Sequence, residues 1–278
     1  MDQHQPHAPH EPALAEDLLG QAEHAHARPG VEYVGAVNTR DGTVRRLADI
    51  KRAMSYKVTS LAYDPATETL FYSTNNSNHR DLVAYEVRSG ATRTLLTGTR
   101  IGDLVYNPAD RSLWGLRLNN GFVMLVRVPY PYAEWKTLYV FPPRQTAFDL
   151  DISADGSMAA MSVSRPGSKA GSPQVTSVVV MRTDAISRGD PTPLHVLQMG
   201  ASVPEGFVFS KDGRYLYGSS YFTGVSNIFR YEVATGAVEA VSNAVSVFRP
   251  PEGLNARRVL VTEGLILGTL VAGVSWLA

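Results

Sequence analysis

Apolar residues alternate with polar ones in short runs along most of the chain, and the runs recur. In "SLAYDPATETLFYST", "DLVYNPADRSLWGLR", "DLDISADGSMAAMS" and "GFVFSKDGRYLYGSS" a polar anchor separates two apolar stripes; the anchors are Asp64, Asn107, Ser153 and Ser210. Leu61, Leu104, Leu150 and Phe207 stand three residues before the anchor, and Tyr63, Tyr106, Ile152 and Phe209 one before it. Leu70, Leu113, Ala159 and Leu216 stand six after it. Positions two apart share one face of a strand, so apolar pairs flanking a polar turn predict a β-hairpin with a buried face.

A second recurring stretch follows the first: "YEVRSGATRTL" from Tyr85, "YEVATGAVEAV" from Tyr231 and, more loosely, "VNTRDGTVRRL" from Val37. Gly90, Gly236 and Gly42 coincide at the turn, where glycine takes a positive φ without steric cost. The anchors lie 43, 46 and 57 residues apart, and each interval holds four strand-like runs. Four strands in about 40–50 residues make a β-propeller blade, whose two apolar faces are buried only by neighbouring blades.

The expected fold is therefore all-β, a propeller of four-stranded antiparallel blades, five in number or part of a larger ring. Full blades are expected at about 58–97, 101–141, 146–199 and 204–243. Residues 31–47 supply two strands without inner partners and 246–278 supply inner strands, so the two ends are expected to complete a composite or incomplete blade, leaving no exposed sheet edge if the ring closes. Residues 1–30 read as a flexible His- and Pro-rich head with a short helix from Ala13 to Ala27, and residues 31–278 as the propeller.

Composition narrows the function classes. Among 278 residues Lys plus Arg and Asp plus Glu number 26 each, so no net field draws the chain to nucleic acid, and no nucleic-acid partner is expected. The chain has no cysteine, which removes disulfides, thiolate metal sites and thiol nucleophiles. The first thirty residues lack the pattern of an export signal. The apolar C-terminal stretch "VLVTEGLILGTLVAGVSWLA" is too short after Glu263 for the roughly 20 residues of a spanning helix. It reads as buried strands, and membrane contact is not expected.

The wording "SKDGRYLYGSS" followed by "SNIFRYEVATG", over Phe209 to Gly236, closely resembles the TolB-type, WD-like propeller repeat. "SADGSMAAMS" at 153–162 is a weaker copy, and "DPATETLFYST" and "NPADRSLWGLR" match in pattern while lacking the Asp-Gly turn. The resemblance spans roughly residues 58–243. It implies a bacterial propeller that binds proteins or peptides, in some relatives as the companion of a protease domain, and a periplasmic setting from which the missing export signal departs.

Candidate chemistry is sparse. His4, His7, His10, His24 and His26 crowd the head, but no acid or cysteine framework fixes a metal geometry, and no metal or cofactor is expected. "HEPAL" at 10–14 has Leu14 where a zinc-protease motif needs its second histidine. There is no G-x-S-x-G elbow and no phosphate-binding glycine loop. Asp151 occupies a column otherwise filled by Ala62, Val105 and Val208, so it must find donors or an ion-pair partner. Asp103 and Asp149 share a column with Ser60 and Gly206 at the start of the innermost strand, where a pair of acids would ring the channel mouth.

Loops entering each blade's first strand, and those joining the second to the third, emerge on one face and are long and varied. Such loops on a rigid scaffold collect ligand contacts. The candidate site is His79, Arg100, Asp103, Arg144, Asp149, Glu205 and Tyr221, with no catalytic residue. The expected function is non-catalytic binding of a protein or peptide. The alternatives are an accessory or gating propeller of a longer protease, and a propeller hydrolase or lyase using acidic channel residues.

Overall fold

The structure, a computed structural model, describes residues 22–23, 32–38, 43–50, 60–76, 79–167, 172–242, 256–262 and 265–270. Four antiparallel four-stranded sheets carry the centre of the chain. The first holds β4 (Ser60–Asp64), β5 (Thr69–Asn76), β6 (His79–Glu86) and β7 (Thr92–Leu96). The second holds β8 (Ile101–Asn107), β9 (Ser112–Asn119), β10 (Phe122–Val128) and β11 (Lys136–Val140). The third holds β12 (Thr146–Ile152), β13 (Met158–Arg165), β14 (Val175–Arg182) and β15 (His195–Gln198). The fourth holds β16 (Glu205–Phe209), β17 (Tyr215–Ser220), β18 (Asn227–Glu232) and β19 (Val238–Ala240). Each sheet is an up-and-down meander, and the first strands β4, β8, β12 and β16 lie side by side along the axis. This is an all-β propeller.

The anchors earn their recurrence by closing the first hairpin of each blade with a short polar side chain. Asp64 accepts the Ala66 N–H at 3.0 Å and the Thr67 hydroxyl at 2.8 Å, and Asn107 accepts the Ala109 N–H at 2.9 Å. Ser153 and Ser210 instead accept the N–H groups of Met158 and Tyr215, each at 3.0 Å, and hand their own protons to Asp155 and Asp212 at 2.6 Å. Local bonds of this kind are why Asp, Asn and Ser dominate such turns. Hydrogen bonds from two serine groups and the Ser157 amide hold the Asp155 carboxyl below the usual carboxylate range.

The hairpins of the second recurring stretch are equally alike. Gly90 (φ 71) and Gly236 (φ 76) donate to Glu86 and Glu232 carbonyls at 2.8 Å, and the bond from Asn38 N–H to Thr43 O, 2.8 Å, is the counterpart of those from Glu86 to Ala91 and Glu232 to Ala237. Gly42 itself lies outside the described residues.

The core lies between blades, as stacked apolar faces require. Trp114, Leu125, Phe141, Leu150, Met161 and Val179 meet between the second and third blades. Phe71, Leu82, Leu104, Leu113, Val126 and Tyr132 meet between the first and second. Val178, Leu197, Phe207, Leu216, Phe229 and Tyr231 meet between the third and fourth.

The 57-residue interval has a structural cause. A short helix, α1 (Thr183–Ser187), and the loop after it lie between β14 and β15. No helical period announces α1, since "TDAIS" is little more than one turn.

Of the head, only Ala22–Glu23 is described, as a short strand, β1, that pairs with Gly35 and Ala36 where a helical pattern had been expected; the rest of 1–30 lies outside the described residues. β1 joins β2 (Glu32–Val37) and β3 (Val44–Ile50) in one sheet. It flanks the first blade, where Leu47 packs against the cluster of Leu61, Tyr63 and Tyr85 and its carbonyl accepts the Tyr85 hydroxyl at 2.6 Å. At the other side β20 (Ala256–Thr262), paired with β21 (Leu265–Leu270), runs beside β16 and β17. The chain ends thus lie beside the first and fourth blades, in two sheets that no ladder joins among the described residues.

Candidate functional site

Asp103 and Asp149 acquire their roles from the shape of the innermost strands. β8, β12 and β16 each slip register at the same place, between Gly102 and Val105, Phe148 and Asp151, and Glu205 and Val208. At each slip one residue takes left-handed backbone: Asp103 (φ 46), Asp149 (φ 56) and Gly206 (φ 61). Aspartate tolerates that conformation better than most side chains, and the bulge frees an N–H from its own ladder. The freed groups reach the preceding blade. Asp149 N–H donates to Asp103 Oδ2 at 3.2 Å, and Gly206 N–H donates to Asp149 Oδ2 at 2.8 Å. Asp151 does the same one step outward, accepting the Phe209 N–H at 2.7 Å, so a backbone donor serves this carboxylate. Asp103 and Asp149 therefore tie successive blades together.

The other candidates lie on the loops. Arg100 (φ 56) and Arg144 (φ 65) enter β8 and β12 with left-handed backbone, a conformation that costs a long side chain about 1–2 kcal/mol. Arg144 is exposed on the turn closed by Gln145 N–H to Pro142 O at 3.0 Å, whereas Arg100 is half-buried, its N–H directed at the Arg80 carbonyl at 3.3 Å. Glu205 opens β16 opposite Ser219. Tyr221 stands out from the loop after β17 at 53 % exposure. His79 opens β6 opposite Asn76, and its side chain lies outside the described residues. The structure thus brings Asp103, Asp149 and the Glu205–Gly206 step into direct succession around the axis, while Arg144 and Tyr221 stand apart on the rim.

Residues that the sequence reading passed over complete this face. Phe222 is 57 % exposed beside Tyr221, and its ring lies against Gly200 in the loop that also carries the exposed Val203. Leu118 and Phe122 project from the β9–β10 hairpin on the same side. Arg117 donates its Nε–H to the carbonyl of Thr99, the residue before Arg100, at 2.8 Å, and the Arg80 carbonyl accepts the Thr99 hydroxyl at 2.7 Å. A consecutive Tyr-Phe in a loop between two strands was the available signal for the aromatic pair, because neither residue has a strand face to occupy.

A separate cleft opens between the outer strands of the second and third blades, lined by Tyr139, Phe141, Gln145, Arg165 and Pro191 among others. Among the described residues no three His, Cys, Asp or Glu side chains gather as a metal site would need, and no helix is long and apolar enough to cross a membrane.

These features define a β-propeller in which Asp103 and Asp149 serve blade-to-blade contact and whose loop face offers arginines and exposed aromatic groups. Solved structures share the architecture. TolB from Acinetobacter baumannii superposes with a TM-score of 0.63 at 13 % identity, over 94 % of this chain and 67 % of that one. A protein described as TolB from Agrobacterium tumefaciens gives 0.56 at 15 %, over 80 % and 71 %. Oligogalacturonate lyase from Vibrio parahaemolyticus gives 0.57 at 8 %, over 80 % and 64 %. No protein-family model and no curated protein matches the chain. At such identities the likeness establishes the β-propeller fold of the TolB type and no activity, since one fold hosts many functions.

Proposed function

We propose that the chain is a non-catalytic binding module that holds a protein or peptide against the loop face of its propeller. The observation that carries this reading is the exposed Tyr221–Phe222 pair, with Val203 nearby and Leu118 and Phe122 on the same face. Aromatic rings on a rigid scaffold bury large area with little loss of side-chain freedom, and exposed apolar patches on soluble domains mark interaction surfaces. The left-handed arginines at 100 and 144 support it, since strained backbone collects at functional sites. A lyase or hydrolase reading loses ground because Asp103 and Asp149 accept backbone hydrogen bonds from the next blade.

Affinity capture from the source organism with the wild type and with the Tyr221→Ala/Phe222→Ala double variant tests the proposal. A specific partner should be retained by the wild type and lost, by about tenfold or more in affinity, from the double variant. Its thermal midpoint should remain that of the wild type, because both side chains are exposed. Equal retention by both would overturn the assignment of the loop face.

A further inference from the structure

Arg80, Arg100 and Arg117 converge on one short segment at the junction of the first two blades. The buried Thr99 knits them together: its N–H and hydroxyl donate to the Arg80 carbonyl at 2.8 and 2.7 Å, and its own carbonyl accepts Arg117 Nε–H at 2.8 Å. Arg100 follows directly in the chain. The Arg80 guanidinium lies over the backbone at Gly102, where a Cβ would come within 2.7 Å of its Nη1. Arg117 lies over the Trp135 ring at 4.5 Å from its centroid.

All three side chains are half-buried, and no carboxylate among the described residues forms an ion pair with any of them. The acids nearest in the chain, Asp81 and Asp103, accept the N–H groups of Gly98 (2.8 Å) and Asp149 (3.2 Å). Guanidinium groups stay charged in proteins, so crowding three half-buried ones together without a carboxylate between them raises the energy of this face. Burial, and then the charge of Arg100, pull Arg117 below its ordinary value, as expected for cations crowded without a counter-charge.

We infer that Arg80, Arg100 and Arg117 form an anion site on the loop face that receives a carboxylate of an acidic peptide segment. The planar fork of a guanidinium matches a carboxylate through two parallel N–H···O bonds, which selects this anion over a spherical one. The exposed Leu118 and Phe122 on the hairpin that carries Arg117 favour a segment in which acidic and apolar residues alternate. The inference rests on the binding function proposed above and names the class of partner. The carboxylate comes either from an Asp or Glu side chain or from a chain terminus, and the test separates them.

The arginine Nε–H resonances of the full chain, followed by NMR, report the site directly. Three peptides serve as probes: acetyl-Glu-Leu-Glu-amide, acetyl-Gln-Leu-Gln with a free C-terminus, and acetyl-Gln-Leu-Gln-amide. Saturable shifts of Arg80 and Arg100 are expected with at least one of the first two, the responsive probe identifying the source, and none with the third. Arg100→Gln should weaken that binding about tenfold with a thermal midpoint no lower than that of the wild type, and Arg100→Lys, which keeps the charge without the fork, should restore only part of it. Absence of saturable shifts with both carboxylate probes, an equal response to the neutral peptide, or unchanged affinity in an Arg80→Gln/Arg100→Gln variant would overturn the site. Failure of these probes with partner capture still dependent on Tyr221 and Phe222 removes the anion site alone. Carboxylate binding combined with capture indifferent to those aromatic residues removes the proposed apolar contact and leaves the anion site standing.

Discussion

Replacing Trp114 with alanine is expected to lower the stability of the folded chain by about 3–5 kcal/mol in chemical denaturation, the largest loss of any single change considered. Trp114 is 1 % exposed, faces the third blade from β9, and donates its indole N–H to Ser112 Oγ at 2.9 Å. Truncation opens a cavity at the interface that buries both blades and leaves Ser112 without a partner it now has. Since a domain of ordinary stability holds about 5–15 kcal/mol in reserve, the variant should sit close to unfolding. Phe222→Ala, which removes an exposed ring, should change stability by no more than about 0.5 kcal/mol. Comparable losses from the two would mean that the blades are not packed face to face as described.

The second large effect concerns the contacts between innermost strands. Asp149→Ala leaves the buried Gly206 N–H without its acceptor and should cost about 1–3 kcal/mol. Asp149→Gly loses the same acceptor but relaxes the left-handed backbone, so its loss should be smaller by about 1 kcal/mol. Asp149→Asn keeps both an acceptor oxygen and tolerance of positive φ, and should lose least. This order, Asn best, then Gly, then Ala, is specific to a bulged acid that accepts from the next blade. Asn as damaging as Ala would point instead to a role for the negative charge itself.

The blades were legible in the sequence because the same two devices repeat in the letters. A short polar anchor closes the first hairpin in all four blades, and a glycine with positive φ turns the third strand of the first and fourth blades into its last strand. The site was legible only in part. The column of Asp103, Asp149 and Gly206 could be read, and the glycine in it was the clue to left-handed backbone, but a register slip that turns an N–H toward the neighbouring blade leaves no mark in hydrophobic alternation. Asp151 was read as a carboxylate needing donors or an ion-pair partner, and the Phe209 main-chain amide is one donor it has, which no residue type announces. The arginine cluster was the least legible. Arg80 and Arg117 belong to different blades, and Thr99 links the main chain of the one to the side chain of the other, a contact set by how one blade is docked on the next.

On the proposed function, one scaffold separates structure from binding. Inward-facing acids and anchor residues bond to the main chain within or between blades, so substitutions there act on stability. The loops on the opposite side of the short hairpins carry arginines and rings whose removal should alter binding with little change in folding.

The most direct measurement is site-specific photocross-linking with benzoylphenylalanine placed in turn at Leu118 and Phe222 on the loop face and at Thr235, which is exposed at a hairpin on the other face. The partner should cross-link from 118 and 222 and not from 235, and the Arg100→Gln exchange should reduce the yield at 118. Cross-linking from 235 with none from 118 or 222 would contradict the assignment of binding to the loop face.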